Sequence, residues 1–304
     1  MEKETREKSE QIQAMTETLT NFISYIGKVL PDDIYMKLVE LRNVEVSPMA
    51  SLIYDTMFEN QELALKLDRP SCQDTGVIQF FAKVGTRFRL TDELPEIFHN
   101  AVLEATKKAP LRHNAVETFD EYNTGLNTGY RIPNIDWEIV PRSDELYLNV
   151  YMAGGGCTLP GRAMVLMPGA GYEGVAEFVL DVMTSYGLNA CPPLLVGVGV
   201  ANSVEMAAML SKRALMRPLG SHNSNDKAAM MERELEEAID AIGLGPQGLS
   251  GARSVMGVHI ENAARHPSTI GVAVSTGCWS HRRGTIVFKS DLSYSIITHK
   301  DAKL

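Results

Sequence analysis

Three cysteines define the chemistry open to this chain: Cys72 in RPSCQDTG, Cys191 in LNACPPLL and Cys278 in VSTGCWSHRRG. Each stands in a polar, turn-prone stretch far from the other two in sequence. Zinc sites usually draw ligands from close pairs such as CxxC, and the chain has no such pair. An iron-sulfur cluster accepts single cysteines from remote loops, and three of them on a four-iron cube leave one iron open. Open iron is a Lewis acid, which points to catalysis rather than electron transfer. As a bare count, four cysteines in 304 residues read as ordinary small core residues, so the flanking residues must shift the balance.

Gln73 and Asp74 follow Cys72 directly and place an amide and a carboxylate beside a soft ligand, a set able to hold iron, bind substrate and handle a proton. Asp74 also reads as a simple turn residue ahead of Gly76. Three basic groups stand out in an acidic chain: Arg112-His113, Arg265-His266 and His281-Arg282-Arg283. Arginine grips a carboxylate with two parallel N–H groups and histidine relays protons, so the set suits a small di-acid, although any one pair alone reads as a surface salt bridge. Gly154-Gly155-Gly156 offers backbone amides with no side chain in the way, or a tight turn. It fits neither the dinucleotide nor the P-loop pattern. Cys157 is the spare thiol, a fourth cluster ligand in one reading and a small buried residue in the favoured one. The glycines of GVGVANS are spaced like a weak phosphate loop, but read better as a place where a helix packs closely on a strand.

These residues need elements to hold them. Ile12, Met15, Leu19, Phe22, Ile23, Ile26 and Leu30 recur at helical spacing, predicting an amphipathic helix that ends at Pro31. A second helix is predicted from Asp32 to Val44, and a third capped by Ser47 that stops before Pro70. VIQFFAKVG reads as a strand, followed by a helix over 92–108. IDWEIV and LYLNVYMA read as paired strands, and LLVGVGV as a buried strand after a helix over 174–186. Helices over 203–216 and 227–242 precede three strand-like runs, SVMGVHIE, TIGVAVST and GTIVFKSDL. The expectation is an α+β chain, a helix-rich single large domain over residues 1–304 with a mixed β-sheet, its residues 1–46 forming an N-terminal helical segment. Helical and strand-rich stretches interleave too closely to mark an internal boundary, and there is no repeat.

The balance of 44% hydrophobic and 22% charged residues is that of a globular protein. A formal net charge of -9 excludes general attraction to nucleic acid or anionic membrane. MEKETREKSEQIQAM lacks the apolar core of a signal peptide, and no run of about eighteen apolar residues occurs, so a soluble, cytoplasmic protein with reduced thiols is expected.

Taken together, RPSCQDTG, KAPLRHNAV, MAGGGCTLPG, NACPP, GLGPQGL, VHIENAARHPSTIGVAVSTGCW and HRRG resemble the class I, iron-sulfur-dependent hydro-lyases, the fumarase and tartrate dehydratase family. The resemblance runs from about Ser47 to the last strand. It implies an oxygen-sensitive 4Fe-4S cluster on Cys72, Cys191 and Cys278, with the fourth iron left for substrate. It further implies that Gln73, Arg112 and Gly155 bind a dicarboxylate and that Asp74 and His266 orient it or relay protons, while Cys157 matches no ligand. The family's fused members carry a further C-terminal domain with more cationic residues and a hydroxyl base. A separate beta subunit is therefore the expected partner, in a heterotetramer of two alpha and two beta chains. The implied reaction is dehydration of tartrate to oxaloacetate, the alternative being hydration of fumarate to malate. Outside enzymology, an electron-transfer protein or a metal-free interaction subunit stays open.

Overall fold

The computed structural model describes residues 2–304. Eight helices are present among the described residues, and in chain order with the strands they run as follows. α1 (Glu2–Ile26), α2 (Asp32–Val44) and α3 (Pro48–Leu67) precede β1 (Val77–Gly85) and α4 (Leu94–Lys108). Then come β2 (Val116–Glu117), β3 (Tyr122–Asn123), β4 (Asn134–Val140), β5 (Leu146–Ala153), the one-turn α5 (Gly155–Thr158) and β6 (Arg162–Leu166). α6 (Gly171–Tyr186), β7 (Leu194–Ala201), α7 (Val204–Ala214) and α8 (Asp226–Asp240) lead to β8 (Val255–Asn262), β9 (Ile270–Gly277), β10 (Arg283–Phe288) and β11 (Tyr294–Ile296). The class is α+β with mixed sheets, as expected.

The chain groups into two compact units, each built from separate stretches of sequence: residues 1–32, 60–154 and 282–304 in the first, 33–59 and 155–281 in the second. That interleaving explains why no boundary shows in the composition. It also divides the N-terminal helical segment, since α1 belongs to the first unit and nearly all of α2 to the second.

In the first unit a five-stranded sheet runs in the order β11-β10-β5-β1-β4. Met15, Leu19, Phe22, Ile23 and Ile26 of α1 form the buried stripe read from the sequence, and they share one core with Ile97, Phe98 and Val102 of α4 and with Ile78, Phe80, Leu148 and Ile286 of the sheet. Phe80 and Phe98 stack at 4.6 Å between ring centroids. α1 crosses close over β10 because residue 284 is glycine, where an added Cβ would fall 2.5 Å from the Phe22 ring and 2.7 Å from Ile26.

The expected pairing of IDWEIV with LYLNVYMA is not what forms. β1 lies between these two strands, with β4 parallel and β5 antiparallel to it. The five-residue link from β4 to β5 wraps over the end of β1 instead of making a hairpin. Thr86 N donates to Val140 O at 3.1 Å and Gly85 N to Glu145 O at 2.9 Å. A Cβ at Gly85 would meet Ser143 O at 2.5 Å, so only glycine lets the link pass.

The second unit holds a four-stranded sheet in the order β6-β9-β7-β8, with β7 and β8 parallel and β9 antiparallel to β6 and β7. Every residue of β7 and β9 is buried. Val196, Val198 and Val200 pack in one core with Val175 and Val179 of α6 and Leu235 and Ile239 of α8. Gly197 and Gly199 alternate with them, and a Cβ on either would collide with the backbone of α7 at Ser211 and Ala207. The glycine run is thus a close helix–strand approach.

Candidate active site

In the first unit the site is one loop pinned at several points. Ser71 N donates to Gly27 O at 2.9 Å, and Asn60 Nδ2 donates to Ser71 O at 2.7 Å, fixing the entry to Cys72. Asp74 Oδ1 accepts from Gly76 N at 3.0 Å and from Asn114 Nδ2 at 3.3 Å. That first bond closes an Asx turn, so the turn reading of Asp74 holds, and the two bonds keep its carboxylate in one orientation. Gly76 has φ +78°, and a Cβ there would lie 2.7–2.9 Å from the backbone of Met152 and Ala153. Thr75 ties in the second segment, its Oγ1 accepting from Arg112 N at 3.0 Å. The structure therefore brings Cys72, Gln73, Asp74 and Arg112 together. Cys72 is half-buried, Gln73 and Arg112 are exposed, and the Arg112 guanidinium has no intramolecular partner among the described residues.

A residue from the far end of the chain closes this loop. Arg282 is 2% exposed, and its Nη2 donates to the Asp74 carbonyl at 2.6 Å. Its Nε and Nη1 have no hydrogen-bond partner. The sequence marks Arg282 as part of a basic stretch, but its role at the Asp74 loop is visible only in the fold.

In the second unit Cys191 and Cys278 come together at one end of the sheet. Cys191 follows a short 3-10 turn with φ 55° and ψ 71°, a left-handed conformation that costs a non-glycine residue about 1 kcal/mol or more. It is exposed, and its carbonyl accepts from the amide of Trp279 at 3.2 Å, which joins it to the turn bearing the buried Cys278. Thr276 Oγ1 donates to the Cys157 carbonyl at 2.7 Å, so the exposed Gly155 and the buried Cys157 of α5 lie at this same end. On the neighbouring α7, burial lowers the pKa of Lys212 while negative charge at Cys157 works the other way, so a lysine stands within electrostatic reach of this turn. No feature of the sequence singles out Lys212.

His266 is elsewhere. The loop after β8 is held to the opposite end of the sheet, with Ala263 N donating to Val200 O at 3.0 Å and Thr269 Oγ1 to Asn202 O at 3.4 Å. β9 then separates His266 from Cys278, and its seven residue-to-residue steps span about 23 Å at roughly 3.3 Å each. His266 is exposed, and its Nδ1 accepts from Ser268 N at 3.1 Å. In the neutral ring Nε2 therefore carries the proton and acts as a donor. A cavity of about 720 Å³ opens at this His266 end, reaching Arg265 and Lys227, but its walls are mainly Ala176, Leu180, Met231, Leu235 and Ala238. Such a lining suits apolar groups better than a dianion.

None of the four cysteines forms a disulfide among the described residues. Among the described residues no three His, Cys, Asp or Glu side chains are gathered as for a single metal ion. A cluster sets a different standard, because its ligand sulfurs bind separate irons and stand farther apart than donors on one ion. Soft thiols suit an iron-sulfur group better than a hard cation, and in the first unit the Cys72 loop has the buried Arg282 cation at its Asp74 carbonyl.

The profile of the fumarate hydratase (Fumerase) family matches residues 16–287. The chain belongs to that family. The L(+)-tartrate dehydratase subunit alpha of Escherichia coli K12 is 56% identical over 297 residues, covering 98% of both chains, and that of Escherichia coli O157:H7 is 57% identical over the same span. A protein of Methanocaldococcus jannaschii described as a putative L(+)-tartrate dehydratase subunit alpha is 32% identical over 265 residues, or 86% of this chain and 93% of its own. No helix of the described residues is long and apolar enough to cross a membrane.

Proposed function

We propose that this chain is the cluster-bearing alpha subunit of an iron-sulfur hydro-lyase that dehydrates L(+)-tartrate to oxaloacetate. The observation carrying this reading is the end-to-end similarity, at 56–57% identity, to the L(+)-tartrate dehydratase alpha subunits. The thiols of Cys72, Cys191 and Cys278 hold a 4Fe-4S cluster, which when bound supplies a Lewis-acidic iron able to ease departure of the substrate hydroxyl. Everything else is done by side chains and backbone.

Arg112 and Gln73 receive the substrate carboxylates, Arg112 through its fork of N–H groups and Gln73 through its amide. Gly155 offers a contact that no side chain obstructs. Loss of water takes a proton from one carbon and hydroxide from its neighbour, leaving an enol that becomes the ketone of oxaloacetate. Charge builds on the carboxylate next to the deprotonated carbon, where the Arg112 cation stabilises it. Asp74, whose carboxylate is oriented by Gly76 and Asn114, moves a proton in this reading. His266 donates through Nε2, and with the roughly 23 Å length of β9 lying between it and Cys278, we infer that it serves this chemistry from a second copy of the chain. The principal base and further cations come from a beta subunit, in a cytoplasmic heterotetramer of two alpha and two beta chains.

The family profile, described as fumarate hydratase, favours a second reading, hydration of fumarate to malate on the same residues. Anaerobic co-purification with the beta subunit and assays on L-tartrate, fumarate and malate decide between the two. The proposal expects kcat/KM to be highest for L-tartrate. A preference for fumarate selects the second reading, and a protein without iron or dehydratase activity refutes both.

A further inference from the structure

Arg282 is a buried charge with no visible counter-charge. It is 2% exposed, spends one N–H on the Asp74 carbonyl, leaves Nε and Nη1 without partners, and pairs with no carboxylate among the described residues. Guanidinium does not give up its proton inside proteins, so it cannot escape by neutralising itself. Burying it unpaired costs several kcal/mol. An anion must compensate, and it must be resident. A dicarboxylate substrate comes and goes, and would leave the charge bare in every enzyme molecule between turnovers. A cluster held by three thiolates carries formal negative charge throughout, and Cys72 lies only two residues before Asp74.

We propose that Arg282 is the buried counter-cation of the iron-sulfur cluster, anchoring the Cys72 loop through Asp74 with one N–H and neutralising the cluster with the others. This rests on the function proposed above. Hydrogen bonds and positive charge near a cluster raise its reduction potential and strengthen its hold. Arg282 is thus a positioning residue, and its effect should appear without turnover.

The test uses wild type, Arg282→Gln and Arg282→Lys, purified anaerobically as the complex with the beta subunit. Iron content, iron release to a chelator, the cluster midpoint potential and the melting temperature with and without cluster are measured. Arg282→Gln should release iron about tenfold faster, the effect of losing a charge-assisted contact. Its midpoint potential should be more negative than that of wild type. With its cluster it should melt below wild type, and without cluster at or above it, because the variant no longer buries an uncompensated charge. Arg282→Lys keeps the charge but not the fork and should fall between; if Arg282→Gln fails to fold, Arg282→Lys carries the test through several-fold faster release. Iron release and potential unchanged in the folded variants overturn the proposal, and a raised KM with an unchanged cluster assigns the arginine to substrate. A wild-type complex that holds no iron refutes the proposed function and this inference with it.

Discussion

Replacing Gly76 with alanine should damage the Cys72 loop far more than the loss of a single conformational freedom would. At φ +78° an L-residue pays about 1–2 kcal/mol. The new methyl would also sit 2.7 Å from Ala153 C, 2.8 Å from Met152 C and 2.9 Å from Ala153 N, all backbone atoms of β5 that cannot swing aside. Forcing such overlap costs a further 1–3 kcal/mol or so. If residue 76 moves instead, its amide leaves Asp74 Oδ1, a bond worth about 1 kcal/mol. Gly125 is the control: it belongs to the same unit at φ +74°, yet a Cβ there meets nothing within 4 Å. Gly125→Ala should therefore cost only about 1–2 kcal/mol. At roughly 2 °C per kcal/mol for a chain of this size, Gly76→Ala should melt some 2–6 °C below Gly125→Ala. Circular dichroism melts read this difference, and iron analysis should show loading impaired at Gly76 alone. Equal melting shifts in the two variants refute the argument from close approach.

Serine at Cys72, Cys191 or Cys278 should remove most of the iron and the visible cluster absorbance, whereas Cys157→Ser should keep much of both; equal losses at all four positions would sink the three-ligand assignment. Chains carrying Cys278→Ser and His266→Asn, each inactive alone, should regain about one quarter of wild-type activity when co-expressed, because random pairing makes half the dimers mixed, each with one intact site. Continued inactivity of the mixture would remove His266 from a site shared between copies. Burial raises the pKa of Glu236 with help from Asp240 and Glu40, against Lys37 and Arg253. The folded state then holds this proton more tightly than the unfolded state, so stability falls as pH rises from the ordinary glutamate range through the raised value. Glu236→Gln should accordingly have a higher urea midpoint than wild type at neutral pH, with the gap closing below about pH 4, and a gap independent of pH would disprove it.

Periodic elements were legible in the sequence because local pattern determines them: α1, α2 and β7 appear where their apolar spacing places them. The partnership of strands was not. β4 and β5 follow each other with a short link, which ordinarily means a hairpin, and only the glycine at residue 85 allows β1 to come between them. β6 was missed because it is short, lies at a sheet edge and is largely exposed, so it lacks the alternation of a half-buried strand. Within the site, Cys72, Gln73 and Asp74 are neighbours in sequence and share one loop, and Arg112 joins them through Thr75. His266 and Cys278 also looked close, twelve residues apart in one continuous motif. Eight of the intervening residues are an extended strand, which turns nearness in sequence into separation in space. Arg282 shows the reverse, a contact across 208 residues that no local pattern encodes.

That long-range contact orders events during synthesis. The loop bearing Cys72 leaves the ribosome early, but its Arg282 anchor, and β10 with which β5 must pair, are made 208 residues after Asp74. At roughly 5–20 residues per second, the nascent loop waits about 10–40 s for the residue that holds it. Through that interval the first sheet lacks an inner strand and the loop lacks its cation. Anything loaded onto the fully anchored loop is therefore loaded only after residue 282 has been made.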